Sequence, residues 1–126
     1  MQRSWSKKVY TVKSSVASHC NLMDEAASVF KKELDEHTFI TPDISIIHNV
    51  DAKIEEDIAN IPNKLIEQLT LPVQWTKTME YIKSFDGVVI ECGPGKVLSG
   101  LAKTNGLANI LSMSSETFED DLKGLL

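Results

Sequence analysis

Between residues 22 and 34 apolar side chains return every three or four positions, as Leu22, Met23, Ala26, Ala27, Phe30 and Leu34. Lys31, Lys32, Glu33 and Asp35 fill other places. That spacing gathers the apolar set on one stripe and predicts an amphipathic helix of about three to four turns. Just upstream, Val9-Tyr10-Thr11-Val12 through Ser15-Val16 is β-branched and reads as a strand. Thr41-Pro42-Asp43 breaks the helical pattern, and residues 44–50 (Ile-Ser-Ile-Ile-His-Asn-Val) read as another strand. Asn60-Ile61-Pro62 has the form of a helix opening, with asparagine as cap, proline in the first turn, and Leu65, Ile66 and Leu69 facing inward. Leu71-Pro72 ends that helix, and Val73, Trp75, Met79 and Ile82 predict the next, to about Ser84.

Asp86-Gly87 is a turn, and Val88-Val89-Ile90-Glu91-Cys92 is the strongest strand pattern in the chain. Gly93-Pro94-Gly95 makes a tight corner into a short helix over 96–103, with Val97, Leu98 and Leu101 inward and Asn105-Gly106 as its stop. Residues 108–113 read as a last strand. Phe118, Leu122 and Leu125 read as a closing helix capped by Ser115. Strands alternating with helices predict an α/β architecture with a largely parallel sheet.

The 126 residues fit one domain, and 42% hydrophobic with 25% charged residues is an ordinary globular balance. Thirteen basic against eighteen acidic residues leave a net charge of −5, which argues against a nucleic-acid partner needing a basic face. No apolar run is long enough to span a bilayer, and residues 1–5 lack a signal-peptide core. Cys20 and Cys92 make no disulfide framework, so a cytoplasmic location is the expectation.

Gly93-Pro94-Gly95-Lys96 lacks the spacing of a phosphate-binding loop, and Val97 stands where a Ser or Thr would follow the lysine. It reads as a structural strand-to-helix corner. His19, His37 and His48 are not at chelating spacings, so no metal site and no bound cofactor are expected. Cys92 reads as a small core residue at a strand end, and no serine lies in a Gly-x-Ser-x-Gly elbow. His19 sits between a strand and a helix, where α/β proteins place reactive groups, yet position alone favours a hydrogen-bonded loop histidine. Read by itself, the chain holds a candidate base without a nucleophile.

Five segments in order carry a resemblance: Ser18-His19-Cys20-Asn21-Leu22-Met23, His48-Asn49-Val50-Asp51, Gln68-Leu69, Pro72-Val73-Gln74-Trp75-Thr76-Lys77, and Gly93-Pro94-Gly95-Lys96-Val97-Leu98-Ser99-Gly100-Leu101. Together they resemble the C-terminal part of the malonyl-CoA:acyl-carrier-protein transacylases. The resemblance implies an α/β fold: residues 17–126 as the C-terminal part of a hydrolase-like, largely parallel-sheet acyltransferase domain. Residues 1–16 would be the last strand of a small ferredoxin-like subdomain and a linker. Lys13 and Ala17 stand where the family usually has prolines.

The family moves malonyl from coenzyme A to a serine and then to the phosphopantetheine thiol of acyl carrier protein, in fatty acid biosynthesis. The resemblance implies that His19 is the general base and that the main-chain carbonyl of Gln68 holds its ring. It gives Asn49 a supporting role in substrate binding. Malonyl-CoA and phosphopantetheinylated carrier protein are the implied substrates. The family's nucleophile elbow, oxyanion-hole glutamine and carboxylate-clamping arginine have no counterpart here, so the chain reads as a fragment, inactive alone, whose partners are acyl carrier protein and an N-terminal half. A non-catalytic binding module that keeps the acyltransferase scaffold is the alternative, weakened by the acidity that carrier proteins share. A chain without a stable fold of its own is a third.

Overall fold

The computed structural model describes residues 17–125. The strand expected at 9–16, Lys13 and the domain boundary at residue 16 therefore fall outside the described residues. The elements, in order, are α1 (Asp24–Asp35), α2 (Ile61–Thr70), α3 (Trp75–Ile82), β1 (Val89–Glu91), α4 (Val97–Thr104), β2 (Ile110–Ser112) and α5 (Phe118–Lys123). Short 3-10 turns, Asn21–Met23 and Ile58–Asn60, lead into α1 and α2.

Two packing units result. In the first, α1 lies along α2; Ala27 and Leu34 of α1 and Ile61 of α2 are its buried apolar residues. In the second, β1 and β2 pair in parallel with Val89 opposite Ile110 and Glu91 opposite Ser112. Met79 of α3, Ala102 of α4, Leu107 and Ile110 form its core, with Trp75, Ile82 and Val89 packed against them. The expected helix–strand alternation and parallel pairing hold for this half of the chain. The hydrogen bond from Gln74 N–H to the Asn49 carbonyl, at 2.8 Å, ties the start of α3 to the loop before α2.

Several local expectations need correction. Residues 44–50 form no strand; only an isolated antiparallel bridge joins Ile47 to Ile54. The β-branched composition gives local preference, but the chain turns back through Ala52 (φ 58°), and Ile44 is 77% exposed with no ladder to join. Asn60 does not cap α2 through its side chain. Asp57 caps the preceding 3-10 turn instead, accepting from Ala59 N–H at 2.9 Å. Pro62 does sit in the first turn.

On α4 the inward face is the opposite of the expected one. Val97 is 70% exposed and Leu98 and Leu101 are exposed too, whereas Ser99 is buried and Ala102 is 0% exposed. Small residues let the helix backbone lie close against the sheet, and the larger ones are left on the outer stripe. Leu22 and Ala26 on the first helical stretch, and Leu125 at the end, are likewise exposed. Cys92 is exposed, not a core residue, because the chain leaves the sheet at that point. Thr117, not Ser115, occupies the cap position of α5, without a side-chain cap bond. The Ser115 carbonyl accepts from Phe118 N–H at 3.1 Å.

Candidate active site

His19 stands immediately before the 3-10 turn that opens α1, in the left-handed region with φ 55°. That region is uncommon for a residue with a side chain, although histidine visits it more than most. Cys20 returns to extended backbone (φ −152°), and its carbonyl takes the Met23 N–H at 3.0 Å, starting the turn. The kink leaves the His19 ring exposed at the mouth of the α1–α2 pair, with Nδ1 2.7 Å from the main-chain oxygen of Gln68.

Why that oxygen is free follows from the sequence. Within a helix the Gln68 carbonyl would accept from the residue four places on, which is Pro72 and has no N–H. The helix also ends at Thr70, where Leu71 turns extended (φ −101°, ψ 152°) and gives its own N–H to Glu67 at 2.8 Å. Gln68 thus presents an unspent acceptor. A carbonyl can only accept, so the short contact requires the proton on Nδ1 and leaves the Nε2 lone pair outward. The arrangement is that of a base whose ring is oriented by a fixed acceptor on its far nitrogen.

Asn49 is exposed and lines, with Gln68, a cleft of about 310 Å³ whose other walls include Phe39, Ile47, His48 and Leu65. Gln68 is therefore shared between the His19 bond and this cleft. No hydrogen bond joins the Asn49 side chain to His19 among the described residues. The loop bearing Asn49 is fixed to α2 by Lys64, whose ammonium meets Asp51 at 2.8 Å and Glu55 at 3.1 Å. Burial works against charging Asp51, but the Lys64 ammonium and the Lys53 N–H hold its carboxyl below the usual carboxylate range. For Glu55 the Asp57 N–H and then Lys64 do the same. Burial opposes the charge on Lys64 as well, and the two carboxylates raise it above the ordinary lysine range.

Glu91 was not among the expected site residues. Its buried carboxylate closes the start of α4, accepting from Leu98 N–H at 2.9 Å, Ser99 N–H at 3.0 Å and the Ser99 hydroxyl at 2.5 Å. The hydroxyl bond first, then the two N–H groups, overcome burial and keep the carboxyl below its usual range. The helix-opening N–H groups that a phosphate would use are thereby occupied, which supports the structural reading of the Gly93-Pro94-Gly95 corner. Ser114 completes that corner, accepting from Gly95 N–H at 3.0 Å and donating to the Gly93 carbonyl at 2.7 Å. The one sequence signal for Glu91 is an acidic residue closing an otherwise apolar strand directly before the glycines.

Among the described residues no group of three His, Cys, Asp or Glu side chains could hold a metal ion. No helix there is long and apolar enough to cross a membrane. His37 is exposed, and both cysteines carry free thiols.

No family model matches the chain. The malonyl CoA-acyl carrier protein transacylase of Salmonella typhimurium is 46% identical over 99 residues, which is 77% of this chain and 32% of that protein. FabD from Acinetobacter baumannii superposes with a TM-score of 0.81 at 38% identity, over 90% of this chain and 37% of that one. A malonyl-transacylase solved in complex with its type II PKS acyl-carrier protein gives 0.74 at 35% identity, over 90% and 37% of the two chains. The chain spans about a third of the length of the curated relatives it matches. Over that third, in sequence and in fold, it is a homologue of the malonyl CoA-acyl carrier protein transacylases.

Proposed function

We propose that this chain supplies the histidine base of a malonyl-CoA:acyl-carrier-protein transacylase, from the C-terminal part of the enzyme. The serine it serves lies on polypeptide outside residues 1–126. The observation that carries the reading is the 2.7 Å contact between His19 Nδ1 and the Gln68 carbonyl, which leaves Nε2 as the open basic atom. Nε2 takes the serine proton as Oγ attacks the thioester carbonyl of malonyl-CoA, and returns it to the departing coenzyme A thiolate. In the second half it takes the proton of the phosphopantetheine thiol as sulfur attacks the malonyl-serine ester, and gives it back to the serine. The Gln68 carbonyl does the orienting work of the third member of a Ser-His-Asp triad, and Asn49 lines the approach to the site. No bound cofactor takes part, and the cytosol, with its reduced thiols, is the proposed compartment.

Alone, the chain is proposed to be inactive, since without a nucleophile there is no acyl-enzyme. Co-expression with the part of the Salmonella typhimurium relative outside the 99 matched residues tests this. Malonyl transfer to carrier protein is expected from the pair, and His19→Ala should lower it by about two to four orders of magnitude. An associated pair whose transfer is indifferent to His19→Ala would refute the assignment. Carrier-protein binding without transfer would favour the non-catalytic module.

A further inference from the structure

Residues 48–55 form a turn whose shape is fixed from within. Ile47 bridges to Ile54, His48 N–H bonds to the Lys53 carbonyl at 3.0 Å, and Ala52 N–H bonds to the His48 carbonyl at 2.9 Å. Ala52 is buried in the left-handed region (φ 58°), a conformation that a residue with a Cβ holds only when its surroundings impose it. Two carboxylates on this turn each have one oxygen spent on the main chain. Asp51 Oδ1 accepts from Lys53 N–H at 3.1 Å, and Glu55 Oε1 accepts from Asp57 N–H at 3.0 Å. Their other oxygens converge on the Lys64 ammonium, at 2.8 and 3.1 Å, and only 13% of the Lys64 side chain is exposed. Removing that cation leaves two like charges facing one shielded spot, a larger loss than at an exposed surface pair.

What this clasp holds is Asn49. Lys64 stands one turn before Gln68 on the same face of α2. Asn49 stands two residues before Asp51, and Asn49 and Gln68 line one cleft. The Asn49 carbonyl also takes Gln74 N–H at 2.8 Å, so the same turn carries the tie to α3. We infer that Lys64 is a positioning residue: its grip on Asp51 and Glu55 clamps the turn to α2 and fixes Asn49 at a set spacing from the Gln68 carbonyl that holds His19. Lys64 acts through Asn49, since its ammonium is taken up by the two carboxylates. The inference rests on the proposed function for what Asn49 serves.

Lys64→Met tests this, because it keeps a buried stem and a good helix former and removes the charge. In the chain by itself, hydrogen exchange at the Gln74 amide should quicken about tenfold, with the His19 proton still on Nδ1. In the pair formed with the part of the Salmonella typhimurium relative outside the matched residues, the KM for malonyl-CoA should rise about tenfold while kcat stays within about twofold. Lys64→Arg, whose fork can meet both carboxylates, should restore the parent values to within about twofold. Where Lys64→Met loses the circular dichroism of the parent, Glu55→Gln decides: it keeps the Asp57 N–H bond, loses one charge, and should raise KM by a smaller factor. Unchanged Gln74 exchange and KM, a proton moved off Nδ1, kcat falling with KM unmoved, or no rescue by arginine would each overturn the inference. A pair whose parent form transfers nothing sinks the proposed function instead, and Gln74 exchange in the chain alone still decides whether Lys64 holds Asn49.

Discussion

The tautomer of His19 is the property of the site that can be read without any partner. The contact to the Gln68 carbonyl is 2.7 Å and its acceptor has no proton to offer, so the neutral ring must carry hydrogen on Nδ1. Such a bond contributes about 1 kcal/mol net, which biases the ring toward the Nδ1–H form by about fivefold. Long-range proton–nitrogen correlation spectra of the chain, in mildly alkaline buffer where an ordinary imidazole is neutral, report this ratio directly. Gln68→Ala deletes the side chain and keeps the carbonyl, so the bias should persist and transfer by the reconstituted pair should stay within about twofold of the parent. Gln68→Pro loses its own N–H and crowds the carbonyl of Lys64, displacing the last turn of α2, so the bias should vanish. A parent chain with hydrogen on Nε2, or a Gln68→Ala chain that loses the bias as fully as Gln68→Pro, would refute main-chain control of the ring.

Met79, 3% exposed at the centre of the second unit, should cost about 2–5 kcal/mol when cut to alanine, read by urea unfolding. A loss under about 1 kcal/mol would mean that this core does not hold the sheet. Gly95→Ala should lower the melting temperature although its Cβ would meet no neighbour, because φ is +88° there; an unchanged melt would mean that the corner relaxes freely. Stability should also fall in acid. Asp51, Glu55 and Glu91 have folded pKa values below their unfolded ones, so their contribution is full above the ordinary carboxylate range and drains as pH drops through the lowered values. Lys64, raised, contributes fully below the ordinary lysine range and loses this as pH rises through its raised value. Urea midpoints should therefore form a plateau near neutrality, and a midpoint that rises as pH falls through the carboxylate range would contradict these carboxylate contacts. Ser99→Ala, which removes the first donor to Glu91, should destabilise most at neutral pH and least in acid; a pH-independent difference would show that the hydroxyl bond does not set the carboxylate's affinity for its proton.

Periodicity made the helices legible and did less for their faces. Trp75, Met79 and Ile82 fall on the inner side of α3 as their spacing predicts. On α4 the same reasoning points the wrong way, because the rule that large apolar residues face inward assumes that the chain's own core is the only apolar environment. Ser99 and Ala102 take the inner positions since the helix must lie close to β2 and Glu91 must reach its first N–H groups. The misplaced strand at 44–50 has a related cause. Strand propensity is a statement about fitting a half-buried pleated surface, and no such surface lies beside Ile44 and Ile46 in these residues.

The contact between His19 and the Gln68 carbonyl was legible by resemblance and, in retrospect, by one covalent fact. Proline at 72 cancels the donor that would otherwise quench the Gln68 carbonyl, so the residue pair Gln68–Pro72 carries the acceptor in the sequence itself. What the sequence does not spell out is that His19, 49 positions away, arrives at that oxygen. That meeting depends on α1 lying along α2. The packing of the helical pair therefore sets the geometry of the His19 ring. Substitutions in the α1–α2 interface should disturb the His19 tautomer before they unfold the chain, and those at Met79 or Ala102 should unfold the sheet unit with the tautomer intact. The helical pair, which carries the His19–Gln68 contact, and the sheet unit around Met79 can thus each be tested without the other.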